Sequence, residues 1–94
     1  HNYELIVSVT GDIDPDTGYV MDMKVLKDHI KAEVEDAFDH KNLNLEVPEF
    51  ADLIPTAENI VVVIHQKLKK ILTSGQELEV VLYETPRNFV SYSE

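Results

Sequence analysis

The apolar residues of this chain of 94 residues recur with two different spacings, one typical of strands and one typical of helices. The order in which these spacings follow one another restricts the folds that the chain can adopt. From Tyr3 to Thr10 apolar and polar residues alternate, which is typical of a strand with one buried face. The same alternation returns over 77–85 and again over 89–92, with a short turn at 86–88 between the two runs. In the intervening stretch the period changes to three and four residues, which indicates helix. The order predicts an α+β domain built as strand, helix, helix, strand, strand.

Both predicted helices have an apolar stripe and a start signal. The first is expected to run from the N-cap residue Asp22 to about Phe38. The second is expected to begin after the N-cap Thr56 and to end near Lys69-Lys70. The Val61-Val62-Val63 run by itself favours a strand, but the cap and the spacing of the surrounding apolar residues favour a helix.

A chain of 94 residues is long enough for one domain and too short for two hydrophobic cores. A sheet of three strands whose first strand has an unpaired edge is an incomplete unit, because natural proteins normally cover or pair such edges. We therefore expect a further strand upstream of residue 1, a neighbouring subunit, or both.

Charge and composition limit the classes of partner. Eighteen acidic residues against eight basic ones give a net charge of −10, whereas nucleic-acid binding requires a basic face. We therefore expect no nucleic-acid partner and no binding to an anionic membrane, and no apolar run approaches the roughly 18 residues that a membrane span needs. The absence of cysteine excludes disulfides and sulfur-based zinc clusters within these residues. For the location of the protein, the cytoplasm is our default expectation.

The acidic series Asp12, Asp14, Asp16 has the spacing with which a calcium loop begins. An EF-hand loop also needs glycine at its sixth position and glutamate at its twelfth. Those positions are Thr17 and Met23 here. We interpret the series as an acidic turn.

The histidines differ in what they could do. His29 and His65 lie inside the predicted helices beside polar neighbours, and we expect both to face solvent. A catalytic zinc takes about three protein ligands, so His1 alone cannot hold a metal.

Asp39-His40 falls where the first helix should end, and an adjacent carboxylate can orient an imidazole that transfers protons. The alternative is a histidine stabilised by the helix C-terminal dipole.

Glu84 follows Leu78, Val80 and Leu82 on the apolar parity of its strand, where a carboxylate is costly unless a partner satisfies it. Its two oxygens match a flat heterocycle that presents two parallel N–H groups, such as an aminopyrimidinone ring. Each charge-assisted hydrogen bond would contribute roughly 1.5–3 kcal/mol. The alternative is a glutamate at a strand end that reaches water.

Five short motifs together resemble the tetrahydropterin synthase family, the zinc-dependent 6-pyruvoyl- and 6-carboxy-tetrahydropterin synthases. They are His-Asn-Tyr at 1–3, Gly-x-Ile-Asp-Pro-x-Thr-Gly at 11–18, Asp-His-Lys-Asn-Leu at 39–43, Thr-x-Glu-Asn at 56–59 and Tyr-Glu-Thr at 83–85. The resemblance implies an α+β tunnelling fold (T-fold), an antiparallel four-stranded sheet with two helices inserted between the second and third strands. The first of those strands would precede residue 1, so residues 1–94 are expected to form a single, N-terminally incomplete domain.

The resemblance also implies catalytic and metal-binding roles. His1 matches the last of three zinc histidines in the family's His-Gly-His-Asn motif, and Asp39 and His40 match two members of its catalytic triad. The triad's cysteine and two further zinc histidines would lie upstream of His1. The chain is therefore interpreted as part of a longer product, with a naturally short, inactive relative as the alternative.

Glu84 matches the family residue that anchors the pterin ring, and Thr56 and Glu58 fall where its substrate pocket is lined. The implied activity is that of a zinc-dependent carbon–oxygen lyase. It would convert 7,8-dihydroneopterin triphosphate to 6-pyruvoyl- or 6-carboxy-tetrahydropterin, in pterin or queuosine biosynthesis. Homotrimers or hexamers would place active sites between subunits. Two alternatives stay open: a non-catalytic relative that binds pterins or purines through Glu84 without metal, and an acidic interaction domain with no small-molecule site.

Overall fold

Three strands form one antiparallel sheet in the computed structural model of the chain, which describes residues 3–38 and 47–94. The strands are β1 (Glu4–Thr10), β2 (Glu77–Thr85) and β3 (Asn88–Ser93), and β2 lies between the other two. The predicted α+β order of strands and helices is confirmed.

One face of the sheet carries the apolar residues that pack on the helices. The register places Val7 opposite Val80 and Val80 opposite Tyr92, so the same parity continues across all three strands. Because side chains alternate between the two faces of a strand, this parity collects the apolar positions on one side. They are Leu5, Val7, Val9, Leu78, Val80, Leu82, Val90 and Tyr92.

The first helical stretch is continuous but not uniform. The Asp22 side chain accepts a hydrogen bond from the backbone N–H of Lys24 at 2.8 Å and caps the stretch, as predicted. From this cap onwards the helical stretch consists of α1 (Met23–Ile30), a π-helical segment (Lys31–Glu35) and α2 (Asp36–Phe38). The helix to Phe38 is confirmed, whereas the π-helical segment was not predicted. Such segments are frequent at functional sites in helices.

The second predicted helix is α3 (Ala57–Leu68), followed by a 3-10 turn at Lys69–Ile71. The Thr56 hydroxyl oxygen accepts a hydrogen bond from the backbone N–H of Asn59 at 3.2 Å, so the predicted cap is confirmed. The valine run is helical, as predicted. α3 contacts β2, β3 and the π-helical segment, and it is therefore buried over most of its circumference. Within the described ranges, no helix is both long and apolar enough to cross a bilayer.

The core lies between the sheet and the helices and extends under a 3-10 turn at Pro48–Phe50. Phe50 is fully buried there, and its ring meets the ring of Phe38 edge-on, with 5.8 Å between centroids. This aromatic pair joins the end of the first helical stretch to the 3-10 turn.

The prediction that His29 and His65 face solvent was wrong. His65 is 1% exposed, and its Nε2–H donates to the backbone carbonyl of Leu78 at 3.0 Å. Its ring also meets the Tyr92 ring edge-on at 4.8 Å between centroids. His29 is half-buried, and its Nε2–H donates to the carbonyl of Lys67 at 3.2 Å. The apolar face of α3 is wider than a single stripe, so position 65 lies inside it.

The acidic series forms a turn, in agreement with our interpretation. The Asp14 carboxylate accepts hydrogen bonds from the backbone N–H groups of Asp16 at 2.8 Å and Thr17 at 3.3 Å. The Asp14 backbone N–H also donates to the Tyr19 carbonyl at 2.8 Å. A carboxylate that closes its own turn in this way is an Asx turn.

Candidate functional site

Glu84 is the extra residue of a β-bulge. Tyr83 lies opposite Phe89 and Thr85 lies opposite Asn88, so β2 advances by two residues where β3 advances by one. Glu84 is therefore left without a partner in the register. Bulges of this kind bend the strand and change the direction of a side chain.

The Glu84 side chain is exposed, so the desolvation cost that we predicted for a carboxylate on the apolar parity is absent in this chain. The residues of that parity are buried only as far as Leu82, which is 2% exposed. Beyond it the strand passes the end of the core, and the bulge interrupts the alternation. The carboxylate oxygens of Glu84 are consequently open to accept hydrogen bonds from a ligand.

An aromatic pair lies next to Glu84 on the sheet face away from the helices. The rings of Tyr83 and Phe89 are 5.0 Å apart between centroids and tilted by 34°, and Phe89 is 57% exposed. Our sequence reasoning missed this pair. The available signal was that both residues are aromatic and lie within three positions of the predicted turn at 86–88.

The start of β1 lies at the same end of the sheet as Glu84. Glu4 pairs with Tyr83, the residue immediately before Glu84. His1, the predicted metal ligand, precedes Tyr3 and Glu4 in the sequence but lies outside the described residues.

The start of α3 also lies towards the end of the sheet that carries Glu84. His65, near the end of α3, bonds Leu78 at the start of β2, and only residues 72–76 connect the 3-10 turn to β2. A helix joined to its packed strand by so short a connection must run antiparallel to it. Thr56 and Glu58 at the start of α3 therefore lie towards the end of β2 that carries Glu84.

Thr56 and Glu58 both have polar side chains that can contact a ligand at this position. The Thr56 oxygen accepts the capping bond from Asn59, which leaves its O–H free to donate. Glu58 is exposed in the first turn of α3, where the helix dipole favours a negative charge.

The first helical stretch runs in the opposite direction to α3. Val25, near its start, lines the same cleft as Ile71 just beyond α3. Further along, His29 bonds the carbonyl of Lys67. The far end of the stretch, Phe38, lies beside α3, since the centroid of its ring is 5.8 Å from Lys67 Nζ. The predicted catalytic residues Asp39 and His40 follow Phe38 and lie outside the described residues.

Three chain segments thus converge at one end of the domain, which we call the Glu84 end: the start of β1, the start of α3 and the end of β2. Of the predicted site residues, the structure places Thr56, Glu58 and Glu84 there. His1, Asp39 and His40 remain predictions.

The described residues do not by themselves fit a zinc site. Across 3–38 and 47–94, no group of three or more histidine, cysteine, aspartate or glutamate side chains is arranged to hold a metal. At the Glu84 end these stretches supply carboxylates, whereas a zinc site of the predicted kind uses imidazoles.

A surface cleft of about 480 Å³ lies at the opposite end, between the acidic turn and the connection from α3 to β2. Asp12, Val25 and Gln76 are among the residues that line it. None of the predicted site residues does. The Gln76 side chain donates a hydrogen bond to the carbonyl of Val20, another lining residue, at 2.8 Å.

Comparison with known proteins gives a consistent result. The family model described as 6-pyruvoyl tetrahydropterin synthase matches residues 1–94. Proteins named 6-pyruvoyl tetrahydrobiopterin synthase from Pongo abelii and Homo sapiens are 46% and 45% identical to the chain over 92 residues. Each match covers 98% of this chain and 63% of the relative, so the chain spans less than two thirds of the length of these curated relatives.

A solved structure agrees with the fold. The structure of Caenorhabditis elegans 6-pyruvoyl tetrahydropterin synthase superposes with a TM-score of 0.87 at 33% sequence identity, covering 100% of this chain and 67% of that one. The predicted tunnelling fold is confirmed by this match, with three antiparallel strands and the two helical stretches lying between the first and second of them.

Proposed function

Because the chain belongs to the 6-pyruvoyl tetrahydropterin synthase family, we propose that it is part of a lyase that acts on 7,8-dihydroneopterin triphosphate. The lyase eliminates triphosphate and rearranges the side chain to give a tetrahydropterin substituted at position 6. The observation that carries the proposal is the exposed Glu84 carboxylate, which a bulge presents at the end of the domain where three chain segments meet.

Glu84 binds the ring of the substrate in this proposal. An ionised carboxylate has two oxygens that accept hydrogen bonds, and the aminopyrimidinone part of a pterin offers two parallel N–H donors. Two charge-assisted bonds of roughly 1.5–3 kcal/mol each correspond to about 10²- to 10⁴-fold in affinity. Glu84 thereby fixes which end of the substrate reaches the reacting groups.

Thr56 and Glu58 line the same pocket from the start of α3. The free O–H of Thr56 donates to an acceptor on the ring, and the Glu58 carboxylate accepts from an N–H or O–H of the substrate. In this proposal these contacts orient the substrate.

Asp39 and His40 transfer protons in the proposed reaction. A histidine imidazole can transfer protons near neutral pH, and an adjacent carboxylate can hold an imidazole in one tautomer. Zinc, when bound, would polarise the side-chain oxygens of the substrate and acidify the carbons next to them. His1 would be one zinc ligand, and the other ligands and the third triad member would have to come from elsewhere in the protein or from another subunit.

The names of the relatives favour 6-pyruvoyl-tetrahydropterin as the product and a role in pterin biosynthesis. A 6-carboxy product on the queuosine route is the alternative. A homotrimer or hexamer is proposed as the assembly, with active sites between subunits. Its support is the free edge of β1, which pairs only with β2 among the described strands, since such an edge is a template for another chain.

Glu84→Ala in the full-length protein tests the proposal. Affinity for 7,8-dihydroneopterin, measured by calorimetry, should fall about 10²- to 10⁴-fold. Glu79→Ala is the matched control, because Glu79 is an exposed glutamate on the same strand but lies opposite Ser8, away from the bulge. Unchanged affinity in Glu84→Ala would remove the pocket assignment.

Turnover and metal content separate the enzyme from a binding protein. Unmodified full-length protein should release triphosphate from 7,8-dihydroneopterin triphosphate and contain about one zinc per subunit. Binding that depends on Glu84 without turnover and without zinc would instead favour the non-catalytic relative.

A further inference from the structure

The short segment before α3 turns at Pro55. The backbone N–H of Thr56 donates to the carbonyl of Ile54 at 2.8 Å. A hydrogen bond between residues two apart closes a γ-turn, and the fixed φ of proline, about −65°, suits the central position of such a turn. The turn therefore sets the direction in which the chain enters α3.

The side chain of Asn59 binds this turn from the first turn of α3. Its Nδ2 donates to the same Ile54 carbonyl at 2.8 Å. A carbonyl oxygen has two lone pairs and can only accept, so it can satisfy both donors, and the amide nitrogen of Asn59 must face it. Our sequence analysis included Asn59 in a motif but assigned it no role.

Asn59 also binds the side chain of Thr56. Its backbone N–H donates to Thr56 Oγ1 at 3.2 Å, which is the capping bond of α3. Thr56 is thus held on both sides, because its own N–H bonds the carbonyl that Asn59 binds and its side-chain oxygen bonds Asn59 directly. Asn59 is half-buried, whereas Thr56 is exposed and accessible to a ligand.

These bonds restrict what the Thr56 hydroxyl can do. A hydroxyl has one hydrogen, which cannot point at an N–H group that donates to the same oxygen. The Thr56 O–H is therefore a donor directed away from the capping bond. At the Glu84 end it complements the Glu84 carboxylate, which in its ionised form can only accept.

From this geometry we propose that Asn59 is a positioning residue for the Thr56 hydroxyl. Its amide group fixes the turn at Pro55 and its backbone N–H fixes the hydroxyl oxygen, so that the O–H meets an acceptor on the ring that Glu84 binds. The inference rests on the proposed function, in which Thr56 contacts the ring. Asn59 acts through Thr56 and does not itself contact the substrate.

Asn59→Leu in the full-length protein tests the inference. Leucine is close to asparagine in shape but has no amide, so the bond to Ile54 is lost while the backbone N–H that caps α3 remains. Affinity for 7,8-dihydroneopterin, measured by calorimetry, should fall by roughly 2- to 10-fold, as expected for one hydrogen bond. Unchanged affinity would overturn the inference.

Gln66→Leu is the matched control for this substitution. Gln66 is an exposed amide side chain near the other end of α3, so it undergoes the same chemical change on the same helix. Its replacement should leave the affinity unchanged. An equal loss of affinity in both variants would overturn the inference.

A double-mutant cycle with Thr56→Val separates positioning from a merely structural role. Valine keeps the shape of threonine and removes the hydroxyl that Asn59 positions. Asn59→Leu should cause no further loss of affinity in the Thr56→Val protein, because residues that act through one contact have non-additive effects. An equal loss in both backgrounds would show a general disturbance at the start of α3 and would overturn the inference.

A readout without ligand separates this inference from the proposed function. The amide proton of Thr56, followed by NMR, should exchange with water roughly 2- to 10-fold faster in Asn59→Leu, because the carbonyl that accepts its hydrogen bond is released. Gln66→Leu should leave this rate unchanged. If Glu84→Ala does not change ring affinity, the proposed function fails, and the exchange comparison still decides whether Asn59 fixes Thr56. Equal exchange rates in Asn59→Leu and the unmodified protein would overturn the inference.

Asn59→Asp serves if Asn59→Leu does not fold. The carboxylate has the size of the amide but no N–H to donate, and the helix dipole favours a negative charge in the first turn of α3. The same loss of affinity and the same faster exchange of the Thr56 amide are expected. The absence of either change would overturn the inference.

Discussion

The two ends of β2 differ in almost every physical respect although they belong to one strand. At its start, Leu78 is 1% exposed, and its carbonyl accepts hydrogen bonds from the backbone N–H of Glu94 at 3.2 Å and from His65 at 3.0 Å. At its far end, roughly 20 Å away at the usual rise per residue, Glu84 is exposed and has no partner in the register.

The difference shows how a small domain separates stability from binding. The start of β2 is held by packing and by hydrogen bonds from the His65 side chain of α3 and from the backbone of Glu94, which follows β3. The end of β2 leaves a charged group accessible, because the bulge removes it from the ladder. Substitutions at the packed end should therefore change the free energy of unfolding, and those at the Glu84 end should change ligand affinity.

The largest effect on stability is expected from Leu82→Ala, two residues before Glu84. Leu82 is 2% exposed within the core, so truncation should lower the free energy of unfolding by about 2–5 kcal/mol. Urea unfolding followed by circular dichroism measures this. A loss below about 1 kcal/mol would show that the packed part of β2 ends before Leu82.

The second-largest decrease in the free energy of unfolding is expected from Thr56→Ala at the Glu84 end. Loss of the cap that bonds the Asn59 N–H should lower the free energy of unfolding by about 1 kcal/mol, whereas Thr56→Ser should keep it. Thermal unfolding should show a decrease of roughly 4–8 °C for a domain of this size. Equal midpoints for Thr56→Ala and the unmodified chain would mean that the cap contributes nothing, and that this end is even less involved in stability than we infer.

A smaller effect is expected from the ion pair between Glu49 and Lys67. The pKa of Glu49 is lowered in the folded chain, so its contribution is present above the ordinary value of about 4.5 and is lost as pH falls through the folded value. Because 39% of the Glu49 side chain is exposed, the contribution should be at most about 1 kcal/mol. Glu49→Gln should be less stable at pH 7 and should converge with the unmodified chain as the pH falls below the lowered pKa of Glu49. Urea unfolding at several pH values checks this, and a difference that grows on acidification would contradict the assignment.

The smallest effect on stability is expected from Glu84→Ala. An exposed residue outside the ladder should change the free energy of unfolding by no more than about 0.5 kcal/mol, measured by the same urea titration as Leu82→Ala. Substantial destabilisation would mean that the bulge is held by the carboxylate, and the contrast between the two ends of β2 would be lost.

The regular parts of the fold could be predicted because each depends on local information. The alternation in the three strands and the caps at Asp22 and Thr56 are properties of a few neighbouring residues. The bulge at Glu84 depends on how β2 and β3 pair beyond the turn, and the sequence of β2 does not contain that relation. Burial of His65 depends on how many elements cover α3, which a single helical period does not reveal.

The site could be predicted only in part for a similar reason. The types of residue at Thr56, Glu58 and Glu84 predicted ligand binding, but their placement at one end of the domain follows from the antiparallel directions of β2 and α3. The contacts of Lys67 were beyond reach, because they join residues far apart in the sequence whose charges otherwise resemble solvated surface groups.

The π-helical segment at Lys31–Glu35 has a consequence for how this chain tolerates changes in length. A π turn takes in one residue more than an α turn, so deleting one residue there would give an ordinary α-helix and leave the downstream residues on the same side of it. A second deletion would turn those residues by about 100° around the axis, so this segment should tolerate the loss of one residue better than the loss of two.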